Sequence, residues 1–302
     1  MAIDLIPPAR TDRVRPLAAT VRELRICWAF TRGDLSATVL PATVFTMAAA
    51  MSAGLTLDAL PGLLLRCVPY FWLYIYTFDL SNQLTGIDED RINKPHRPLV
   101  TGLVTPAEVR VRLIVTTVAF LALGAALGVF EWTVLWVAAW VFHNHLGGAK
   151  FWWGKNLAMV AGTIAQLAAA WQIVTGPTAT AWTWILAIAV PLAGLVSLQD
   201  LRDRDGDLAV GRRTMVVVLG EAQARLVLAV AFAVYPVLLY VLLYDGAPTA
   251  AVLIGGVGAC VLSLIAFRVL ALRSRRADHH TYLLYTAWYC LALASAIPVF
   301  AR

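Results

Sequence analysis

Nine apolar stretches of about membrane-spanning length leave this chain few folds: roughly 26–53, 62–82, 108–130, 132–146, 155–175, 181–199, 221–244, 248–271 and 282–300. A helix needs about 20 apolar residues to cross a bilayer core about 30 Å thick. Within lipid, each backbone N–H and C=O must find its partner inside the protein, and a helix supplies that partner locally. The chain therefore reads as an all-α polytopic membrane protein. It has about nine transmembrane helices in a bundle around a central cavity, with a polar cap on the cytoplasmic side. Hydrophobic residues make up 60% of the 302, which excludes an ordinary soluble domain.

Charge placement sets the orientation. Lys and Arg fall in the N-terminal arm and in the connections after stretches two, four, six and eight. The connections near Asp58, Glu131, Thr178 and Asp245 carry none, and Arg66 alone lies toward that face. The positive-inside bias makes the N-terminus and the basic connections cytoplasmic. The net charge of +6 is then a rim that attracts anionic lipid and diphosphates, and it requires no nucleic acid. The first 25 residues carry Arg10, Arg13, Arg15, Arg22 and Arg25 around no apolar core, unlike a signal peptide. Residues 1–22 read as a polar arm on the membrane surface and 23–302 as one transmembrane domain. Cys27, Cys67, Cys260 and Cys290 stand singly, without zinc spacing, and read as small hydrophobes with no disulfide.

Two acidic clusters sit at the cytoplasmic ends of stretches two and six. The second is Asp200-Leu201-Arg202-Asp203-Arg204-Asp205-Gly206-Asp207. Asp200, Asp203 and Asp207 fall at i, i+3 and i+7, one face of a helix, while Asp205 points elsewhere. The first cluster runs Asn82-Gln83-Leu84-Thr85-Gly86-Ile87-Asp88-Glu89-Asp90, with Asn82, Gly86 and Asp90 on one helical stripe and Asp79 a turn earlier. Pro95 and Pro98 then break the helix into a loop carrying Lys94, His96 and Arg97.

Seven of the 18 acidic residues lie in these two clusters, a density that needs cations to hold it beside a membrane. Carboxylate oxygens suit Mg²⁺, which bridges readily to phosphates. The candidate metal ligands are Asn82, Asp88, Glu89, Asp90, Asp200, Asp203 and Asp207. Lys94, Arg97, Lys155, Arg32, Arg202 and Arg213 are the candidate diphosphate donors. Arg32 and Asp34 read as a pair early in stretch one. His143, Asn144 and His145 close stretch four and read as interfacial, and His96 reads as solvated.

These residues resemble the UbiA superfamily of intramembrane prenyltransferases. The usual pattern is Asn-Asp-x-x-Asp-x-x-x-Asp after span two and Asp-x-x-Asp-x-x-x-Asp after span six. Asp200, Asp203 and Asp207 match the second in full, and Asn93 with Arg97-Pro98-Leu99 also looks like the family. In the first, Asn82 and Asp90 match, but Gln83 and Gly86 stand where acids are usual; Asp79, Asp88 or Glu89 is left to replace the missing one. That variant, with Lys155-Asn156, is similar to a divergent branch that includes terpene cyclases. The resemblance implies Mg²⁺-dependent ionisation of an isoprenyl (allylic) diphosphate, C10 to C20, with Asn82, Asp90, Asp200, Asp203 and Asp207 catalytic. Phe71, Tyr74, Phe78 and Trp152 are the candidate cation-stabilising aromatics. Cyclisation to a terpene leads. Transfer to an aromatic or quinol-like acceptor stays open as the alternative.

Overall fold

The computed structural model describes residues 14–301. Its regular structure is helical, apart from a single bridge between Phe151 and Arg213. In chain order the helices are α1 (Val14–Thr31), α2 (Val39–Ser52), α3 (Leu60–Thr85), α4 (Ile87–Asn93) and α5 (Pro106–Ala126). Next come α6 (Phe130–Asn144), α7 (Trp152–Gln172), α8 (Ala179–Ala189), α9 (Leu192–Leu195) and α10 (Leu198–Ala209). The remainder are α11 (Met215–Leu219), α12 (Glu221–Leu239), α13 (Thr249–Ala271), α14 (Arg275–Ala294) and α15 (Ile297–Phe300).

Among the described residues, 7 stretches are long and apolar enough to cross a membrane: Leu35–Ser52, Leu57–Thr85, Pro106–Ala126, Ala179–Ala209, Glu221–Tyr244, Thr249–Ala271 and Arg275–Phe300. The other two expected spans fall short for different reasons. Helix α6 has only 15 residues. Helix α7 has 21 but carries Lys155, Asn156, Gln166 and Gln172. The first expected stretch is also divided: α1 ends at Thr31, and Arg32, Gly33 and Asp34 form a turn before Leu35–Ser52. Of the expected polar arm, residues 1–13 lie outside the described residues, and the rest opens α1.

The helix ends follow local rules. Thr105 and Glu108 form a capping box at the start of α5, with Pro106 in the first turn. Thr178 and Ser274 cap α8 and α14 by accepting from Ala181 N–H and Ala277 N–H. Pro191 separates α8 from α9 in the sixth expected span, and a second break at Val196 and Ser197 leads into α10. Asn156 covers that break: its Nδ2 donates to Ala193 O and Ser197 Oγ, both at 2.9 Å.

The helices close into a ring. Helix α2 packs on α3, α3 on α6, α6 on α7, α7 on α9, α9 on α12, α12 on α13, α13 on α14, and α14 on α2 again. Helices α1 and α5 pack outside α3. The outer face of α5 leaves Val111, Ile114, Val115 and Val118 exposed, as a lipid-facing surface requires. The ring is fastened by Arg225, only 2% exposed, which donates to Asp278 at 2.9 and 2.7 Å and to Val269 O and Leu272 O. A bidentate carboxylate and two carbonyls satisfy a guanidinium that would otherwise be costly to bury.

Candidate active site

The ring encloses a cavity of about 660 Å³. Asp79, Asn82, Glu89, Lys94, Arg97, Lys155, Arg202, Asp203 and Arg212 line its polar end, joined by Arg32 and Asp34 from the turn after α1. Tyr74, Phe78, Trp136, Tyr285 and Tyr289 line its aromatic part. Lys155 and Gln166, both on its wall, lie 11 residues apart on α7, about 16 Å at 1.5 Å per residue.

The two acidic clusters meet because α4 packs directly on α10. Asn93 joins them: its Nδ2 donates to Asp203 O at 2.8 Å, and its Oδ1 accepts from Gly206 N–H at 3.2 Å. A β-carbon on Gly206 would overlap the Asn93 amide, so the close approach requires glycine.

Cations cross-link the clusters. Lys94, from the first, donates to Asp203 at 3.3 Å, and Arg202 Nε lies 3.6 Å from the same carboxylate. Arg212, after the second, pairs with Glu89 of the first and lies 3.5 Å from Asp207. Lys155 Nζ is 2.5 Å from the fully buried Asp200. Arg97 reaches both oxygens of Asp90, at 2.8 and 2.7 Å, and Asn82 Oδ1 at 3.1 Å. Burial raises the Asp90 carboxyl above its ordinary value, against the opposing pull of Arg97. His96 is exposed, yet partial desolvation and then the cations Arg32, Arg97 and Lys94 hold it below the ordinary histidine value.

Oxygen atoms remain over. Asp79 Oδ2, Asp200 Oδ2, Asp207 Oδ2 and Gln83 Oε1 are buried without a hydrogen-bond partner. Such orphaned acceptors are costly unless something fills them, and they are hard donors of the kind Mg²⁺ takes. Among the described residues no three or more His, Cys, Asp or Glu converge into a complete metal cage. A cation that draws its remaining ligands from phosphate and water needs no such cage, so the donor set fits Mg²⁺ held jointly with a diphosphate.

The site differs from the sequence reading at several residues. The stripe through Asn82, Gly86 and Asp90 is not one continuous helix, because α3 ends at Thr85 and α4 begins at Ile87. Asn82 and Asp90 still meet, through Arg97. Asp88 turns outward, 79% exposed and paired with Arg91, whereas Glu89 turns in. Of the aspartates of the second cluster only Asp203 reaches the cavity wall; Asp200 and Asp207 stand behind it, paired with the wall cations Lys155 and Arg212.

Arg213 is exposed away from the cavity, its backbone bonded to Lys150 and Trp152; Arg212 holds the position instead. Arg32 and Asp34 both line the cavity but form no ion pair with each other. Phe71 is packed in the core against Tyr70, and Trp152 lies off the cavity, 37% exposed. Tyr74 and Phe78 are in place, with ring centroids 4.4 and 5.2 Å from that of Trp136. His143 is buried in the cavity wall rather than interfacial.

Helix α14 supplies wall residues that the motifs did not flag: Arg275, His279, Tyr282, Thr286 and Tyr289. Arg202 stacks over Tyr282, 4.1 Å from its centroid, and bonds His279 at 3.0 Å. The signal was present, since steps of four, three, four and three residues trace one polar and aromatic face along the helix.

Residues 38–295 match the UbiA prenyltransferase family. The chain belongs to that family. This UbiA-family chain is 42% identical to the somaliensene A/B synthase of Streptomyces somaliensis, over 95% of its own length and 97% of that protein's. It is 38% identical to the diterpene cyclase eriG of Hericium erinaceus, over 92% of the chain and 89% of the relative. The UbiA fold is shared with a UbiA homolog from Archaeoglobus fulgidus bound to DMAPP and Mg²⁺ (TM-score 0.64, 15% identity, 90% of this chain and 99% of that one). The protein is a multi-pass integral membrane protein of the UbiA family.

Proposed function

We propose that this protein ionises an allylic isoprenyl diphosphate of C10 to C20 in the membrane, with Mg²⁺, and cyclises the resulting cation to a terpene. The observation that carries the proposal is the cavity itself: cross-linked acids and cations at one end, stacked aromatic rings beyond them. The near full-length likeness to proteins named as a terpene synthase and a diterpene cyclase supports cyclisation over transfer to an aromatic acceptor.

Lys94, Arg97, Lys155, Arg202 and Arg212 would take the diphosphate charge, with Arg32 at the mouth. Each but Arg32 is held by a carboxylate, so a ligand carrying both phosphate and metal charge can exchange partners with these pairs without stranding a charge. Asp203 and Glu89, with Asn82 and Asp90 beside them and the unsatisfied oxygens of Asp200 and Asp207 behind, would hold Mg²⁺. When bound, the metal supplies electrostatic stabilisation of the departing diphosphate. Tyr74, Phe78 and Trp136 would turn π faces toward the allylic cation, and the largely apolar lining beyond the polar end would limit the water able to quench it.

The proposed setting is a nine-span domain over 23–302, with α6 and α7 completing the crossings. The cap and N-terminus are cytoplasmic, as the distribution of Lys and Arg supports.

The test is Mg²⁺-dependent diphosphate release from C10, C15 and C20 allylic diphosphates. Wild type should release diphosphate, Asp203→Ala should not, and Asp205→Ala, at an exposed position of the same helix, should behave as wild type. Full activity of Asp203→Ala would sink the site assignment.

A further inference from the structure

Asn82 has a definite orientation, and the structure shows what holds it. Its Oδ1 accepts from Arg97 at 3.1 Å, while its Nδ2 donates to Asn144 Oδ1 at 3.2 Å. An amide is nearly symmetric in shape, so its partners decide which end faces the acids. Arg97 only donates, which points the Asn82 oxygen to the polar cap and its NH₂ to Asn144. Asn144 is fixed in turn. Its Nδ2 donates to Ser81 Oγ at 2.9 Å, and Ser81 Oγ lies 2.9 Å from His145 Nε2. His143 Nδ1 lies 2.7 Å from Asn144 Oδ1, so that nitrogen must carry the proton. From Arg97 through Asn82 and Asn144 to His143 and Ser81, each amide group can be satisfied in one sense only.

We propose that Asn144 is a positioning residue that keeps the Asn82 carbonyl oxygen turned toward the metal–diphosphate cap. The proposal rests on the Mg²⁺ reading above. If Arg97 shifts toward a bound diphosphate, the contact that points Asn82 from the cap side weakens. The Asn144 chain, built from α6 and the neighbouring Ser81, still holds the amide. The motif His143-Asn144-His145 thus serves the cap from behind, with Asn144 itself off the cavity wall.

The test compares Asn144→Leu, which removes both amide groups, with Asn144→Asp, which keeps an acceptor for Asn82 and His143. The readouts are the Mg²⁺ midpoint of diphosphate release and the Mg²⁺ midpoint of the rise in thermal unfolding temperature of the purified protein with inorganic diphosphate present. Outer-shell substitutions cost about 10–100-fold in metal affinity. Asn144→Leu should raise both midpoints by that factor, with kcat at saturating Mg²⁺ largely retained, and Asn144→Asp should stay close to wild type. Should Asn144→Leu not fold, Asn144→Ala carries the same expectation with a smaller change in shape. A wild-type Mg²⁺ midpoint in Asn144→Leu, or in Asn144→Ala in its place, overturns the proposal alone. No Mg²⁺ response in the wild type overturns the metal reading and this proposal with it.

Discussion

Glu89 reaches into the space beside Gly86: its Oε2 lies 3.7 Å from where a β-carbon on Gly86 would stand. The position at which the family pattern has an acid is therefore approached by a carboxylate from one helical turn further on. Gly86 is no passive gap either, because it ends α3, its N–H bonding Asn82 O at 2.9 Å. The break lets α4 restart in a register that turns Glu89 inward and Asp88 outward.

Glu89→Ala is therefore expected to lower kcat/KM for diphosphate release by about 100-fold or more, the scale of losing a charge-stabilising group. It should also raise the Mg²⁺ requirement. Asp88→Ala should stay near wild type, because its exposed pair with Arg91 contributes little. Adding Gly86→Asp to Glu89→Ala should restore part of the activity, limited by a β-carbon 3.0 Å from Asn82 O. Equal losses in Asp88→Ala and Glu89→Ala would refute the assignment.

The seam between the clusters can be tested apart from the chemistry. Gly206→Ala forces the Asn93 amide out of its bonds to Asp203 O and Gly206 N–H. Overpacking of this kind costs about 1–3 kcal/mol. A lower thermal midpoint in detergent and lower activity should appear together. Asn93→Ala removes the obstructing amide, so the double variant should be less impaired than the two single effects added together. Simple additivity would mean the residues do not meet as described.

The aromatic wall should govern the product rather than ionisation. Trp136 stacks on Tyr74 and Phe78, and a β-carbon on Gly162 would strike its ring. Trp136→Leu and Gly162→Ala should keep diphosphate release within about tenfold of wild type, less than the loss of a charge-stabilising group, while shifting products toward uncyclised or differently cyclised compounds. Trp152→Leu, off the cavity, should leave the product ratio unchanged. An unaltered product spectrum in both wall variants would count against this role.

Much of this architecture was legible in the chain. Apolar length alone located the seven candidate spans, because lipid imposes the same requirement on each. The second cluster was legible because it lies within one helix, where i, i+3 and i+7 share a face, and Asp200, Asp203 and Asp207 are all buried together. The first was less so, because Gly86 interrupts the helix and resets the register on which a choice between Asp88 and Glu89 depends. Arg212 and Arg213 could not be separated by sequence, since the turn at Gly211, with φ +69°, decides which one faces the cavity. Phe71 and Tyr74 share a helix, and only the packing of Phe71 against Tyr70 removes it from the wall.

The central claim is cyclisation without an acceptor, and its most direct measurement is product analysis of the purified protein with Mg²⁺ and an allylic diphosphate alone. The account predicts cyclic hydrocarbons or alcohols by gas chromatography–mass spectrometry, formed in step with released diphosphate and abolished by a chelator. No turnover until a phenol or quinol is added, followed by a prenylated adduct, would contradict it.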